Sequence, residues 1–198
     1  MLSQKELHRQ LMHIAVGSLS ILLIYFNVLR SFTIFLMIIT GILASILCKR
    51  IRVPFFSFFL DYFERDEQRK KFPGRGMIFF FIGVLLSLQL FPRNIALASI
   101  MILTLGDSLS HIFGAQFGQL RNIFNGDGKK LLEGTLVGAM AGFLGAWLFV
   151  PVPEAFFGSF IAMIAEVVKI DFNENTLDDN LIVPLVAGTV MLLLGRFV

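Results

Sequence analysis

The sequence predicts an all-α fold, a polytopic bundle of about seven membrane-spanning helices with its amino end cytoplasmic. Three observations predict it. Hydrophobic residues make up 56% of the chain and charged residues only 16%, whereas soluble domains run nearer ~45–50% apolar and ~25% charged. The apolar residues come as long runs instead of alternating with polar ones, so no single face can hide them. The cations collect in alternate connections, the asymmetry expected of cytoplasmic loops.

A hydrocarbon core is crossed by ~20 apolar residues, with a usual range of ~17–25. The runs that approach this length are Leu11–Leu29, Phe32–Leu47, Met77–Phe91, Ile95–Phe113, Thr135–Val150, Ala155–Ile170 and Leu181–Phe197. They make seven spans, or six if Ala155–Ile170 crosses only half the bilayer. MLSQKELHRQ ahead of the first run resembles the start of a secretory leader. That run exceeds a ~7–15-residue leader core and lacks a small-residue cleavage site, so it reads as a first membrane helix. The 23 Phe residues against one Trp and two Tyr favour packing against hydrocarbon over an interfacial aromatic belt. The single cysteine, Cys48, has no intramolecular disulfide partner and reads as a structural thiol.

Of the 17 lysines and arginines, all but Arg30, Arg93 and Arg196 fall on one side if the amino end is cytoplasmic. The positive-inside rule therefore sets the amino end in and the carboxyl end out. Between the second and third runs lies VPFFSFFLDYFERDEQRKKFPGRG, residues 53–76, aromatic first and charged afterwards. Pro54 favours a helix start and Pro73-Gly74 a stop. This segment reads as an interfacial helix at the cytoplasmic leaflet.

That topology draws the polar residues of the apolar runs toward one leaflet. Glu6, Arg9 and His13 are spaced i, i+3, i+7, on one helix face. Asp107, His111, Gly114 and Gly118 follow at i, i+4, i+7, i+11 on another. An acid at mid-membrane costs ~2.5–3.5 kcal/mol on insertion scales, and less near the interface, so Asp107 needs a partner, hydration or a function. The function would be that of a metal ligand or of a phosphate-site organiser, and Gly114 and Gly118 allow close approach of a helix or a phosphate. The loop FNGDGKKLLEG carries turn signals at Asn125-Gly126 and Asp127-Gly128. Its Lys129-Lys130 pair is a plausible polyphosphate clamp, although the P-loop spacing is absent. Glu133 suits a helix start electrostatically. Gly134, Gly138 and Gly142 recur every fourth residue, as in helix-packing faces. Glu166 and the Asp178-Asp179-Asn180 cluster complete the set. Adjacent acids at a membrane surface suit Mg2+, or one of the two aspartates caps the last helix. Acids for a cation and bases for phosphates, meeting at one leaflet, point to a nucleotide-dependent lipid enzyme.

GDSLSHIFGAQFG followed by GKKLLEGTLVG resembles the G-D-x-x-A-x-x-x-G-x-x-x-G … K-[TS]-x-E-G pattern. Dolichol kinases, phytol and farnesol kinases, CTP-dependent diacylglycerol kinases and phosphatidate cytidylyltransferases carry forms of it. ELHRQLMH resembles the E-L-x-R-K-x-x-H of the kinase branch, and DDNLIVPLVAG its D-D-N-L-T-V-P-L ending. The long carboxyl-terminal signature of the cytidylyltransferases is absent. The resemblance covers nearly the whole chain and implies one transmembrane lipid-kinase-like domain over residues 1–198, with a nucleotide loop at 114–134. It implies transfer of the γ-phosphate of a nucleoside triphosphate, CTP in that family, to an isoprenoid alcohol or diacylglycerol, with Mg2+. Catalytic roles fall on Asp107, His13 and Glu166. Nucleotide contacts fall on Arg9, Lys129, Lys130, Glu133, Gly114 and Gly118, and metal binding on Asp107, Asp178, Asp179 and Asn180. A membrane lipid alcohol and a nucleotide are the expected partners, and nucleic acid is not. The sequence departs from the pattern at Ser110 for Ala, Gln10 for Lys, Leu131 for Thr or Ser, and Gln116 and Gln119 where basic residues are common. The alternatives are a CTP:phosphatidate cytidylyltransferase and a non-enzymatic lipid transporter or scaffold.

Overall fold

Seven helices follow the seven apolar runs, among the residues described by the computed structural model, which are 3–48, 72–118, 132–167, 171–172, 175–176 and 178–196. They are α1 (Gln4–Tyr25), α2 (Ser31–Cys48), α3 (Arg75–Leu90), α4 (Arg93–Phe117), α5 (Leu132–Ala146), α6 (Val152–Val167) and α7 (Asp179–Leu194). A two-residue antiparallel pair, Asp171–Phe172 with Asn175–Thr176, lies between α6 and α7. The greater part of the 53–76 segment and of the 114–134 loop, with Lys129 and Lys130, lies outside the described residues.

Local chemistry sets the boundaries. Helix α1 begins well before the apolar run because the Ser3 hydroxyl accepts the Glu6 N–H at 3.2 Å, an N-cap that suits its sequence. It stops at Tyr25 because Asn27 takes a positive φ of 58°, which an Asn tolerates and a helix does not. At the same end of the bundle Arg93 donates from Nη2 to the carbonyls of Ile24 and Tyr25 at 2.9 and 2.7 Å. The start of α4 thereby ties down the end of α1, where the Ile24 carbonyl also accepts from the Asn27 N–H at 2.9 Å.

Helix α4 is the centre of the bundle. Of its apolar window 67% is buried, against 28% for α1 and 17% for α2. Helices α1, α3, α5, α6 and α7 pack around it, α3 also packs against α2 and α7, and α2 lies at the edge against α3. The α4–α5 seam is where the helices come closest. A Cβ added at Gly138 would meet the Gly106 carbonyl and, at 2.7 Å, Cβ of Ser110. At Gly134 it would meet the Ser110 carbonyl and Gly114. The glycines spaced by four therefore form the contact face expected of them. A second close approach joins α3 to α7. Pro184 has no N–H, so it cannot bond the Asn180 carbonyl one turn earlier, and Gly83 of α3 lies against that carbonyl.

Large apolar side chains cover the exterior as well as filling the core. Leu19, Phe32, Leu43, Leu136, Leu148 and Phe157 are all exposed, on four different helices and the turn after α5. Gln10, Ser99, Thr104, Ser108, Ser159 and Glu166 are buried inside. Contiguous apolar surface of this extent is foreign to soluble monomers. Among the described residues α1, α2 and α4 are long and apolar enough to cross a membrane, and α3, α5 and α7 are shorter apolar helices.

Candidate metal centre

At the end of the bundle where α1, α3, α5 and α7 begin and α4 and α6 end, four side chains from three helices converge. Asp107 and His111 come from α4, Glu166 from the last turn of α6, and Asp179 from the first residue of α7. One possible ligand atom from each lies within 4.8 Å of all the others. Asp107 is 8% exposed and Glu166 only 3%, while His111 and Asp179 are half-buried.

The backbone of α4 aims the first two. Residues Ile102–Asp107 form a π-helical turn, in which i→i+5 bonding accommodates one extra residue. One residue is about 100° of helical rotation. Ile100, Ile102 and Leu103 fill the core, and Asp107, one turn on from Leu103, faces inward with them. Asp107 and His111 then sit one α-helical turn apart, with His111 Nε2 3.4 Å from Asp107 Oδ1. Ser110 links this helix to α6. Its hydroxyl donates to the Asp107 carbonyl at 2.9 Å and approaches Glu166 Oε1 at 3.5 Å.

The two adjacent aspartates of α7 have separate tasks. Asp178 is the N-cap, its Oδ1 accepting from Asn180 N at 3.2 Å and from Asn180 Nδ2 at 2.8 Å. Its Oδ2 accepts from Arg75 Nε at 3.2 Å, and Arg75 also lies over the Phe79 ring at 5.2 Å. Asp179 is the one that joins the four-residue cluster. Asn180 orients the cap, and its Oδ1 is enclosed without a hydrogen-bond partner.

His13 stands on the adjoining face of α1, its ring edge-on to Phe80 at 5.1 Å. Its Nε2 is enclosed without a hydrogen-bond partner, and the ring is within electrostatic reach of Asp107, Arg9, His111 and Asp178. Arg9 pairs along its own helix with Glu6, Nη2 to Oε1 at 2.6 Å, and the buried Gln10 donates to the same carboxylate at 3.0 Å. Glu133 lies in the first turn of α5, outside the four. Gly114 serves the α4–α5 crossing, and Gly118 ends α4 with an extended backbone and an N–H bonded to the Gly114 carbonyl at 3.0 Å.

Three carboxylates this close repel one another by about 3.5 kcal/mol per pair at an effective dielectric constant of ~20. A divalent cation removes that cost, and three carboxylates with one imidazole are a donor set that fits one. Reading the sequence put His111 on the Asp107 face without naming it among the site residues, and it named Glu166 as catalytic beside the acids suited to a cation. The i, i+4 relation of His111 to Asp107 was the available signal.

The architecture and site define a class, an all-helical bundle with an apolar exterior and a carboxylate–imidazole centre at one end. No family model matches the chain, and no solved structure matches it. The chain is 30% identical over 193 residues to the uncharacterized protein MJ1137 of Methanocaldococcus jannaschii, covering 94% of this chain and 93% of that protein. It belongs to the family of that archaeal protein.

Proposed function

We propose that the protein is an integral membrane phosphotransferase, crossing the bilayer seven times with its amino end and its metal centre at the cytoplasmic leaflet. It moves the γ-phosphate of a nucleoside triphosphate, CTP by the resemblance, onto the hydroxyl of a membrane lipid alcohol of the isoprenoid or diacylglycerol kind. The observation that carries this reading is the convergence of Asp107, His111, Glu166 and Asp179 from three helices. The apolar exterior supports a site that works beside lipid, and the motif resemblance supplies the reaction.

The chain's residues divide the work as follows. Asp107, Glu166 and Asp179 hold a divalent cation, Mg2+ in the resembling family, which when bound neutralises triphosphate charge. Lys129 and Lys130 take up phosphate oxygens by the same resemblance. His13, whose enclosed Nε2 has no hydrogen-bond partner, accepts the proton of the lipid hydroxyl as its oxygen bonds to the γ-phosphorus. The bond from that phosphorus to the β-phosphate oxygen breaks and a nucleoside diphosphate leaves. Asp178 caps α7 and is held by Arg75, outside the centre that Asp179 joins.

The test incubates purified protein with γ-labelled or α-labelled CTP or ATP and a panel of lipid alcohols and phosphatidate. Label from the γ-position in a lipid alcohol is the expected result. Label from the α-position in phosphatidate makes the protein a cytidylyltransferase, and no label in any lipid leaves a non-enzymatic lipid carrier.

A further inference from the structure

We propose that His111 is a metal ligand through its ring Nε2, and that it makes the centre select a first-row transition dication, Mn2+ foremost, over Mg2+. This deepens the proposed function and rests on it for the occupant of the remaining coordination positions, the phosphate oxygens. His111 stands at a position that the G-D-x-x-A-x-x-x-G pattern leaves open, so the resemblance does not assign it.

Three observations carry the inference. The first is geometry. Metal–ligand bonds of ~2.1 Å place neighbouring donors about 3 Å apart and opposite donors about 4.2 Å apart in an octahedron. The His111 Nε2 to Asp107 Oδ1 separation is 3.4 Å, and the four ligand atoms span no more than 4.8 Å. Both values lie near the separations that an octahedral ion imposes on its donors.

The second is donor chemistry. Mg2+ favours oxygen ligands and keeps much of its water, whereas imidazole suits first-row transition ions. Three carboxylates with one imidazole sit between the extremes, and Mn2+, which accepts carboxylates readily, matches that mixture. Four protein ligands leave two octahedral positions, enough for two phosphate oxygens.

The third is the surroundings. Asn180 Oδ1, one residue from Asp179, is an enclosed acceptor without a donor. His13 Nε2 is likewise enclosed without a partner, within electrostatic reach of Asp107 and His111. Polar atoms left this way beside a cluster of acids suit an ion more than an internally satisfied network.

The experiment is pulsed electron paramagnetic resonance on the full-length protein in detergent with Mn2+ as probe, without nucleotide. Nitrogen coupling from a directly bound imidazole is expected, kept in His13→Ala and lost in His111→Ala. Titration should show His111→Ala weakening Mn2+ by about tenfold or more and Mg2+ by less than threefold. His111→Asn serves if the alanine variant fails to fold, and the parent spectrum needs no variant. Absence of nitrogen coupling in the parent makes His111 a counter-ion of Asp107 and overturns the inference. Loss of the coupling in His13→Ala instead overturns it in favour of His13, and equal weakening of both cations removes the selectivity. Phosphoryl transfer without nitrogen coupling sinks only this inference, and coupling without transfer to any lipid sinks only the proposed function.

Discussion

The sharpest consequence of the site concerns two neighbours of like charge, Asp178 and Asp179, to which the structure assigns unlike tasks. Replacing Asp178 by Ala removes the α7 cap, worth about 1 kcal/mol. It also removes the pair with Arg75, whose side chain is 37% exposed, so that after screening it adds no more than about 0.5 kcal/mol. At about 2–4 °C per kcal/mol for a chain of this length, the midpoint should fall by roughly 2–6 °C. Asp179→Asn differs, because it removes one of three mutually repelling carboxylates, and the metal-free protein should be no less stable than the parent. With Mn2+ at 100 times its dissociation constant, a specific site stabilises the folded state by about 2.7 kcal/mol. The parent and Asp178→Ala should both show that increment, and Asp179→Asn should lose most of it. The assay is thermal unfolding in detergent with and without Mn2+, followed by a fluorescent thiol or aromatic probe. Should Asp178→Ala lose the increment while Asp179→Asn keeps it, the division of labour drawn from the Arg75 and Asn180 contacts is refuted.

Other outcomes follow from the same geometry. Asp107→Asn should abolish phosphoryl transfer while leaving the unfolding midpoint within a few degrees of the parent, and full activity in that variant would remove Asp107 from the centre. His13→Asn should lower kcat by about 10²–10⁴ with Mn2+ affinity unchanged, measured by turnover and titration side by side. Gly138→Val places carbon where the Gly106 carbonyl and Ser110 stand. It should cost about 1–3 kcal/mol as an overpacked contact and weaken Mn2+ binding with it, because α5 bears directly on the stretch of α4 that carries Asp107. Arg93→Ala, at the opposite end, should cost about 0.5–1.5 kcal/mol through the lost hydrogen bonds to the Ile24 and Tyr25 carbonyls, with Mn2+ titration indistinguishable from the parent.

Much of the helical architecture was legible in the sequence. Apolar runs bounded by Gly, Pro and charged residues mark where helices form, and each of the seven runs has its helix. The glycines at 134, 138 and 142 were legible as a packing face because small residues at that spacing have few other uses. Boundaries were less legible. Helix α1 extends back to Gln4 through charged turns that hydropathy discounts, because the Ser3 cap and the Glu6–Arg9 pair stabilise them. The π turn at Ile102–Asp107 was not legible at all, since a reading that assumes 3.6 residues per turn cannot see an inserted residue.

For this protein the sequence by itself determined the apolar, all-helical class and the positions where charge enters the helices, since burying charge is costly wherever the chain folds. It also put Asp107 and His111 on one face, a local consequence of helical spacing. Only the tertiary structure decided that Glu166 and Asp179 meet them and that Asp178 does not. Residues more than 50 positions apart (Ser110 and Glu166 are separated by 56) come together through helix packing, which no local pattern encodes. Two adjacent aspartates are chemically alike until Arg75, reaching over from another helix, makes them different.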